Sequence, residues 1–215
     1  MYTPLMLRDL LDSLRCPRPH DESWLVAMVH RAHGPILLDA DLACPVCGAE
    51  FRVERGVAHF DDGLPAPTDA SADALRLAAQ LAVTDGLVPV LLAGRYASAG
   101  AELAALATLP QVWVNGPEHT AHPDVCSVIT VRGRVPFGVE TLDGAAVDEA
   151  HADPGMLDSI VRAVRLGGRI VAPSSAPLPS GVRELARDDA EWVAEVTTRA
   201  SGLVELRRRA PDQVR

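Results

Sequence analysis

The chain has 215 residues and a formal net charge of −9, and all of its 20 basic residues are arginine. The negative charge argues against a nucleic-acid-binding surface, which needs a basic footprint. Because lysine is absent, the chain cannot use a lysine Schiff base, a lysine general base or a P-loop lysine. Aromatic residues make up only 4% of the chain, so the core is predicted to consist of Ala, Val and Leu.

The first fourteen residues do not have the pattern of a signal peptide, since Arg8, Asp9 and Asp12 interrupt their apolar run. No stretch approaches the roughly 20 apolar residues that a membrane-spanning helix needs. Four cysteines, of which three fall in a metal-ligand pattern, favour a reducing cytoplasm over a disulfide framework. We therefore expect a cytoplasmic protein without a membrane segment.

Residues 4–14 have leucines near helical spacing and predict a short helix. Two apolar stretches, 24–29 and 36–38, flank a turn at His33-Gly34 and predict a β-hairpin. A second hairpin is predicted at 51–60, around Arg55-Gly56. The first hairpin lies between Cys16-Pro-Arg-Pro-His20 and Cys44-Pro-Val-Cys47-Gly48, which have the pattern of two metal-binding knuckles.

The two knuckles predict a tetrahedral zinc site, since structural zinc takes four Cys or His ligands, two from each knuckle. Three ligands are indicated by the cysteines. The spacing C-x3-H is looser than C-x2-C, so the fourth ligand is open between His20, which we favour, and His30 or His33. The alternatives are a ribbon that has lost its metal together with one cysteine, and a redox C-x-x-C motif. The predicted zinc ligands are Cys16, His20, Cys44 and Cys47.

Residues 61–68 contain two prolines, a glycine and acidic residues, and they predict a linker, placed at 63–72, between a domain at 1–62 and a domain at 73–215. Beyond the linker, strands alternate with helices, which predicts an α/β fold with an open, largely parallel sheet. A C-terminal antiparallel strand pair is predicted from 192–197 and 203–208. The other predicted elements are helices at 68–83, 99–109, 156–166 and 181–186 and strands at 88–93, 112–114, 125–131, 142–147 and 169–172.

The N-terminal segment resembles the small zinc-ribbon activator subunit of tRNA, rRNA and release-factor methyltransferases. The matching residues are 10–17, 44–48 and 51–57, and Pro19 stands where the family usually has a cysteine. The resemblance implies a structural zinc ion and a ribbon that covers an exposed apolar edge of a methyltransferase. In this chain that partner domain would be part of the same polypeptide.

Residues 70–209 resemble a class I S-adenosylmethionine-dependent methyltransferase. The matching segments are 135–137, 142–151, 165–171 and 191–196. The resemblance implies a Rossmann-like domain with a cofactor pocket formed by a glycine-rich loop after the first strand and by acidic residues after the second and third strands.

Three of the four cofactor positions depart from the family pattern. Gly94 is retained in the glycine-rich loop, where the cofactor approaches the backbone closely, but Tyr96 replaces the second glycine. Asn115 replaces the acid that binds the ribose, and Val131 replaces the acid that faces the adenine. These changes predict a pocket that binds S-adenosylmethionine weakly or not at all. A nicotinamide site at Gly94–Gly100 is the rival interpretation, but the catalytic Tyr-x3-Lys of short-chain dehydrogenases is impossible without lysine.

Asp148, Glu149 and His151 follow the fourth strand and could act as general acids or bases. We favour a hydrophilic strand-to-helix turn for them, and therefore predict no catalytic residue. The first hypothesis for the whole chain is a non-catalytic methyltransferase-like protein that acts by binding another protein, such as a methyltransferase. An active methyltransferase with a divergent cofactor loop is the alternative, and a ribbon that serves as an adaptor for a separate enzyme is a third possibility.

Overall fold

A computed structural model of the chain describes residues 6–65, 72–116 and 126–198, and these residues contain twelve strands in one mixed sheet. The strands are β1 Met6–Leu7, β2 Val26–His33, β3 Ile36–Ala43, β4 Glu50–Glu54, β5 Val57–His59, β6 Val90–Ala93, β7 Gln111–Val114, β8 Cys126–Thr130, β9 Leu142–Ala146, β10 Val164–Pro173, β11 Val182–Arg187 and β12 Glu191–Val196. The α-helices are α1 Ala74–Leu81, α2 Gly100–Leu106 and α3 Pro154–Ala163, and short 3-10 helices cover Arg8–Ser13, Gly94–Ala99 and Glu149–His151.

The second half of the chain forms a doubly wound sheet. Its parallel strands lie side by side in the order β8-β7-β6-β9-β10. When the five strands are numbered along the chain from β6, this spatial order is 3-2-1-4-5. This order places a topological switch point between β6 and β9, where open α/β sheets bind ligands at the carboxyl ends of the strands. Strand β12 continues the sheet antiparallel to β10, and β11 pairs antiparallel with β12. The predicted fold class is therefore confirmed.

The N-terminal segment consists of hairpins, as its alternating pattern predicts. Strands β2 and β3 are joined by a turn at Gly34, where φ is +57°, and β4 and β5 are joined through Arg55 and Gly56, both with positive φ. We call residues 6–62 the ribbon segment. Its last strand, β5, pairs in parallel with β8, so the ribbon segment extends the parallel sheet at its β8 edge.

The parallel strands are apolar throughout because helices cover both faces of the sheet. Leu91 and Ala93 of β6 belong to the same buried cluster as α3, whereas Val90 and Leu92 belong to the cluster of α1 and α2. The first cluster also contains ribbon residues. Among them are Leu42, Phe51 and Val53. The inner face of the ribbon segment and one face of the parallel sheet therefore share a continuous core.

Local capping fixes two of the helix starts. The carboxylate of Asp73 accepts hydrogen bonds from two backbone N–H groups at the start of α1, and that of Asp153 caps α3, which begins at Pro154. The prediction started the first of these helices at Thr68 or Asp69, which lie outside the described residues. The described helix starts at Ala74 because Asp73 supplies the cap.

Three predicted elements are wrong in type or extent. The segment 4–14, whose first two residues lie outside the described part, forms the edge strand β1 and a 3-10 helix, because Met6 and Leu7 pair with β3. The predicted helix at 181–186 is strand β11, which gains its hydrogen bonds from β12. Gly167-Gly168 does not end a helix; α3 ends at Ala163, and the glycines lie in a register shift of β10. The predicted strand at 203–208 lies outside the described residues.

Candidate functional site

The first candidate site is a cluster of metal-ligating side chains in the ribbon segment. The ligand atoms of Cys16, His20, Cys44 and Cys47 all lie within 4.8 Å of one another. On a tetrahedral zinc ion with Zn–S bonds of about 2.3 Å and Zn–N bonds of about 2.0–2.1 Å, paired ligand atoms lie about 3.6–3.8 Å apart, and two of the pairs are close to this spacing. The Sγ atoms of Cys16 and Cys47 are 3.7 Å apart, and Cys44 Sγ is 3.4 Å from His20 Nε2. The donor set and its geometry therefore fit zinc.

Backbone contacts orient two of the four candidate ligands, His20 and Cys44. His20 Nδ1 lies 2.5 Å from the carbonyl oxygen of Asp21, which leaves Nε2 to face the cysteines. An imidazole whose second nitrogen donates to a carbonyl is typical of metal-binding histidines. In the other knuckle, the N–H of Gly48 donates to the carbonyl of Cys44, and Gly48 has a φ of +72°, which favours glycine.

The two other histidines weighed as ligands are outside the cluster. His30 Nε2 is 2.8 Å from a carboxylate oxygen of Asp41, and His33 is the last residue of β2. The structure therefore brings His20, and not His30 or His33, to the three cysteines.

The cysteines of the cluster differ in acidity. Burial and the neighbouring sulfurs raise the pKa of Cys16 to about 12. Burial acts in the same direction on Cys44, but backbone N–H groups of Cys47 and Val46 donate to its sulfur and, together with the neighbouring thiols, lower its pKa to about 6. A thiolate at Cys44 at neutral pH is a suitable first anchor for a cation.

The second candidate site is the crevice at the switch point, between the carboxyl ends of β6 and β9. Gly94 follows β6 and Asp148 follows β9, and both residues are buried. An added Cβ at Gly94 would lie 1.9 Å from Asp148 Oδ2, so the carboxylate packs directly on the glycine. The same oxygen accepts a hydrogen bond of 2.9 Å from the N–H of Arg95. The carboxylate therefore occupies the space beside the backbone that the absent side chain of Gly94 leaves free.

A buried chain of hydrogen bonds extends from this carboxylate. Asp148 Oδ1 lies 2.5 Å from Nδ1 of His151, and His151 Nε2 lies 2.9 Å from Nδ2 of Asn115. Burial acts to raise the pKa of Asp148, but the contacts with His151 and with the N–H of Arg95 outweigh it and hold this pKa below its ordinary value. We call Asp148, His151 and Asn115 the crevice triad.

The side chain of Asn115 has two further neighbours, Val131 and Gly63. Its amide donates to the carbonyl of Val131 at 2.8 Å and accepts from the N–H of Val131 at 3.1 Å, which joins the carboxyl ends of β7 and β8. A Cβ at Gly63 would come within 2.6 Å of Asn115 Oδ1. The segment after β5 therefore passes over the ends of these strands, where Asp61 accepts a hydrogen bond from the N–H of Arg132.

Tyr96 does not join the crevice triad. Its ring is buried, and its hydroxyl donates to Glu191 Oε1 at 2.9 Å and accepts from Arg95 at 3.1 Å. Burial raises the pKa of Tyr96, so its phenol stays neutral. Tyr96 therefore packs toward Glu191 of β12, whereas Asp148 is the side chain that contacts Gly94.

All four predicted cofactor positions, Gly94, Tyr96, Asn115 and Val131, are buried by the chain itself. The sequence does not predict two contributors: the contact of Asp148 with His151, which the sequence pattern assigns to a hydrophilic turn, and the segment 61–63. The signal for the first was present, because an Asp and a His three residues apart after a buried strand can meet in one turn. For the second, nothing in the sequence indicated where the linker would run.

No family model matches the sequence, and no curated protein matches it. Solved structures that are similar include a chain from the complex that contains the Haloferax volcanii Trm112 methyltransferase activator, at 21% identity over 46% of this chain and 50% of that chain, with a TM-score of 0.40. Geranyl diphosphate C-methyltransferase from Streptomyces coelicolor A3(2) is 14% identical over 46% of this chain and 43% of its own, with a TM-score of 0.40. TrmN from Thermus thermophilus is 16% identical over 57% and 48%, with a TM-score of 0.43.

The chain thus spans about half the length of each of these proteins. The TM-scores are low, and the fold assignment therefore rests on the strand order itself. Among the helices of the described residues, none has the length and apolar character to cross a membrane.

Proposed function

We propose that this chain is a non-catalytic methyltransferase-like protein with a structural zinc ribbon, and that it acts by binding another protein. The observation that carries the proposal is the Asp148 carboxylate against Gly94, at the point where a cofactor would approach the backbone. A ligand there would have to displace a buried, hydrogen-bonded carboxylate and the Asn115 amide beyond it. Breaking such a buried network is costly, since each group left without a partner costs about 1–3 kcal/mol.

The zinc in this proposal is held by Cys16, His20, Cys44 and Cys47. Four protein ligands leave no open position on a tetrahedral ion, so its role would be structural. All four cysteines of the chain are free of disulfides, which fits the reducing cytoplasm that we propose as its location. The domain division that we propose remains 1–62 and 73–215, joined by a linker at 63–72.

An active methyltransferase is the second candidate function, and one observation favours it. The hydroxyl of Tyr96 is bound to Glu191 at the start of β12, so the tyrosine does not itself obstruct the crevice. For this candidate, the crevice triad would have to open and release Asn115 from Val131. Its retained acid and histidine would then be available for proton transfer.

Isothermal titration of the zinc-loaded chain with S-adenosylmethionine and S-adenosylhomocysteine separates the two candidates. We expect no saturable heat below about 1 mM ligand, an affinity that corresponds to about −4 kcal/mol. Low-micromolar binding of either compound would overturn the non-catalytic proposal. The variant Asp148→Ala is the matched test of the cause: if the carboxylate fills the crevice, removing it should increase any residual affinity.

A further inference from the structure

A small pocket lies where the first knuckle of the ribbon segment meets the end of β8. It has a volume of about 240 Å³. The knuckle contributes residues 17–19 to its wall, and the turn after β8 contributes residues 131–134. Phe60 and Asp61, which follow β5, complete the wall. The pocket is therefore formed by both parts of the chain, and no residue of the crevice triad lines it.

The wall of this pocket is positively charged. Its ionisable side chains are three arginines, Arg18, Arg132 and Arg134, and one carboxylate, Asp61, so the positive charges exceed the negative by two. The turn that carries two of the arginines is tight: the N–H of Arg134 donates to the carbonyl of Arg132 at 2.8 Å, and Gly133 between them has a φ of +72°. In a chain with a net charge of −9, the pocket is a local reversal of sign.

The guanidinium groups of the pocket are not neutralised by carboxylates. Within the described residues, the side chains of Arg18 and Arg134 have neither a hydrogen bond nor an ion pair, and Arg132 donates from its Nε to a backbone carbonyl. Many other arginines are paired with acids, as Arg183 is with Glu195 at 2.5 Å. The three arginines of the pocket therefore keep hydrogen-bond donors free for a ligand.

The carboxylate of Asp61 is occupied by backbone groups instead of by these arginines. One of its oxygens accepts from the N–H of Gly63 at 2.7 Å, and the other accepts from the N–H of Arg132 at 2.8 Å. The hydroxyl of Thr130 donates to the carbonyl of Asp61 at 3.0 Å. These contacts hold the wall of the pocket in place and leave the guanidinium groups without a competing acid.

We propose that this pocket binds the phosphate group of a phosphate monoester through Arg18, Arg132 and Arg134. Guanidinium groups donate paired hydrogen bonds to phosphate oxygens, and three of them from two separate segments suit a tetrahedral dianion better than a planar, singly charged carboxylate. The net charge of −9 opposes a nucleic-acid backbone, whose binding requires a run of basic contacts. The inference goes beyond the proposed function and does not depend on the state of the crevice.

Isothermal titration with methyl phosphate, in a buffer of low ionic strength without phosphate, tests the site. We expect saturable binding with a dissociation constant of about 1 mM or lower. Arg134→Gln and Arg18→Gln should each weaken it about tenfold, because a hydrogen bond to a charged group is lost. Arg183→Gln on β11 is the matched control: it removes the same charge outside the pocket and should bind as the unmodified chain does. Absence of saturable binding, or an equal loss in Arg134→Gln and Arg183→Gln, would overturn the proposal.

Further titrations test the chemistry of the ligand. Acetate should bind at least tenfold more weakly than methyl phosphate, and equal affinity would overturn the assignment of a phosphate group. A blocked phosphoserine peptide distinguishes the source: binding at least as tight as that of methyl phosphate indicates a phosphorylated side chain of a partner, and exclusion of the peptide indicates a small ester. The ligand-free melting temperatures of Arg18→Gln and Arg134→Gln should match that of the unmodified chain, since neither side chain has a partner to lose. Weakened binding at an unchanged melting temperature therefore reports the site itself.

Discussion

Single side chains test whether the ribbon segment holds a metal ion. Replacing His20 by alanine removes the nitrogen that lies 3.4 Å from Cys44 Sγ, and we expect the zinc content to fall from about one per chain to well below it. His20→Cys should retain the metal, because it restores a four-cysteine set. His30→Ala is the matched control, since His30 is bound to Asp41 instead. Elemental analysis of the purified variants measures the outcome, and full retention in His20→Ala would show that the fourth ligand is wrong.

Gly94 offers a second test, this time of the filled crevice. Gly34 and Gly94 have nearly the same φ, +57° and +58°, but only Gly94 has a neighbour where a Cβ would go. Gly34→Ala should therefore lose about 1 kcal/mol of unfolding free energy from backbone strain, and Gly94→Ala about 2–4 kcal/mol, because the clash with Asp148 adds to that strain. Denaturant unfolding measures both.

If the carboxylate is the cause of that clash, Gly94→Ala combined with Asp148→Ala should lose less stability than the sum of the two single variants. Strict additivity would mean that Gly94 and Asp148 do not contact each other.

The pH dependence of stability tests the partners of Asp148. Its pKa in the folded chain lies below the ordinary value of 3.8, so the ionised carboxylate stabilises the folded state at pH values above 3.8. This stabilisation is lost as the pH falls through the lower, folded pKa. We therefore expect Asp148→Asn to be less stable than the unmodified chain near pH 6, with the difference shrinking toward pH 3. A difference that stays constant over this range would contradict the assignment.

At the scale of elements, the pairing of β5 with β8 joins the ribbon segment to the rest of the chain. Phe60 N–H also donates to Thr130, and both segments contribute to one core. If a protease site is inserted between residues 66 and 71 and cut, we expect the two fragments to remain associated. Size-exclusion chromatography after cleavage gives the answer, and separate elution of the N-terminal fragment would contradict the docking.

The sequence predicted most strands because the parallel ones are continuous apolar runs and the hairpins have glycine turns. It failed where pairing with a distant strand decides the conformation. Met6 and Leu7 become a strand because β3 lies beside them, and Val182–Arg187 becomes one because β12 does. Leucine spacing alone cannot indicate either neighbour.

The two candidate sites also differ in how far the sequence could predict them. The proximity of the four Cys and His side chains could be predicted from the pattern that zinc-binding knuckles require, and the structure brings those residues together. The filling of the crevice could not be predicted in full, because it depends on Gly63 crossing Asn115, a contact between residues 52 positions apart in the sequence.

At the scale of the whole molecule, the shared core would couple a bound metal to global stability. Cys16 and Cys44 belong to the same buried cluster as Leu91 of β6 and Ile160 of α3. Removing zinc with a chelator should therefore lower the melting temperature of the entire chain in a single calorimetric transition. Two separated transitions, with only the first sensitive to the chelator, would show that the ribbon segment unfolds independently.

The parallel contact of β5 with β8 also has a consequence for the order of events during synthesis. Val57 pairs with Val128, so the open side of β5 has no partner until more than half of the chain has been made. Contacts so far apart in sequence form slowly, and unpaired strand edges are prone to aggregation in the meantime. The hairpins of the ribbon segment need only residues up to 59, and early metal capture would hold them in shape while translation continues. Zinc supply during synthesis, rather than the stability of the finished protein, would then determine the yield of folded chains.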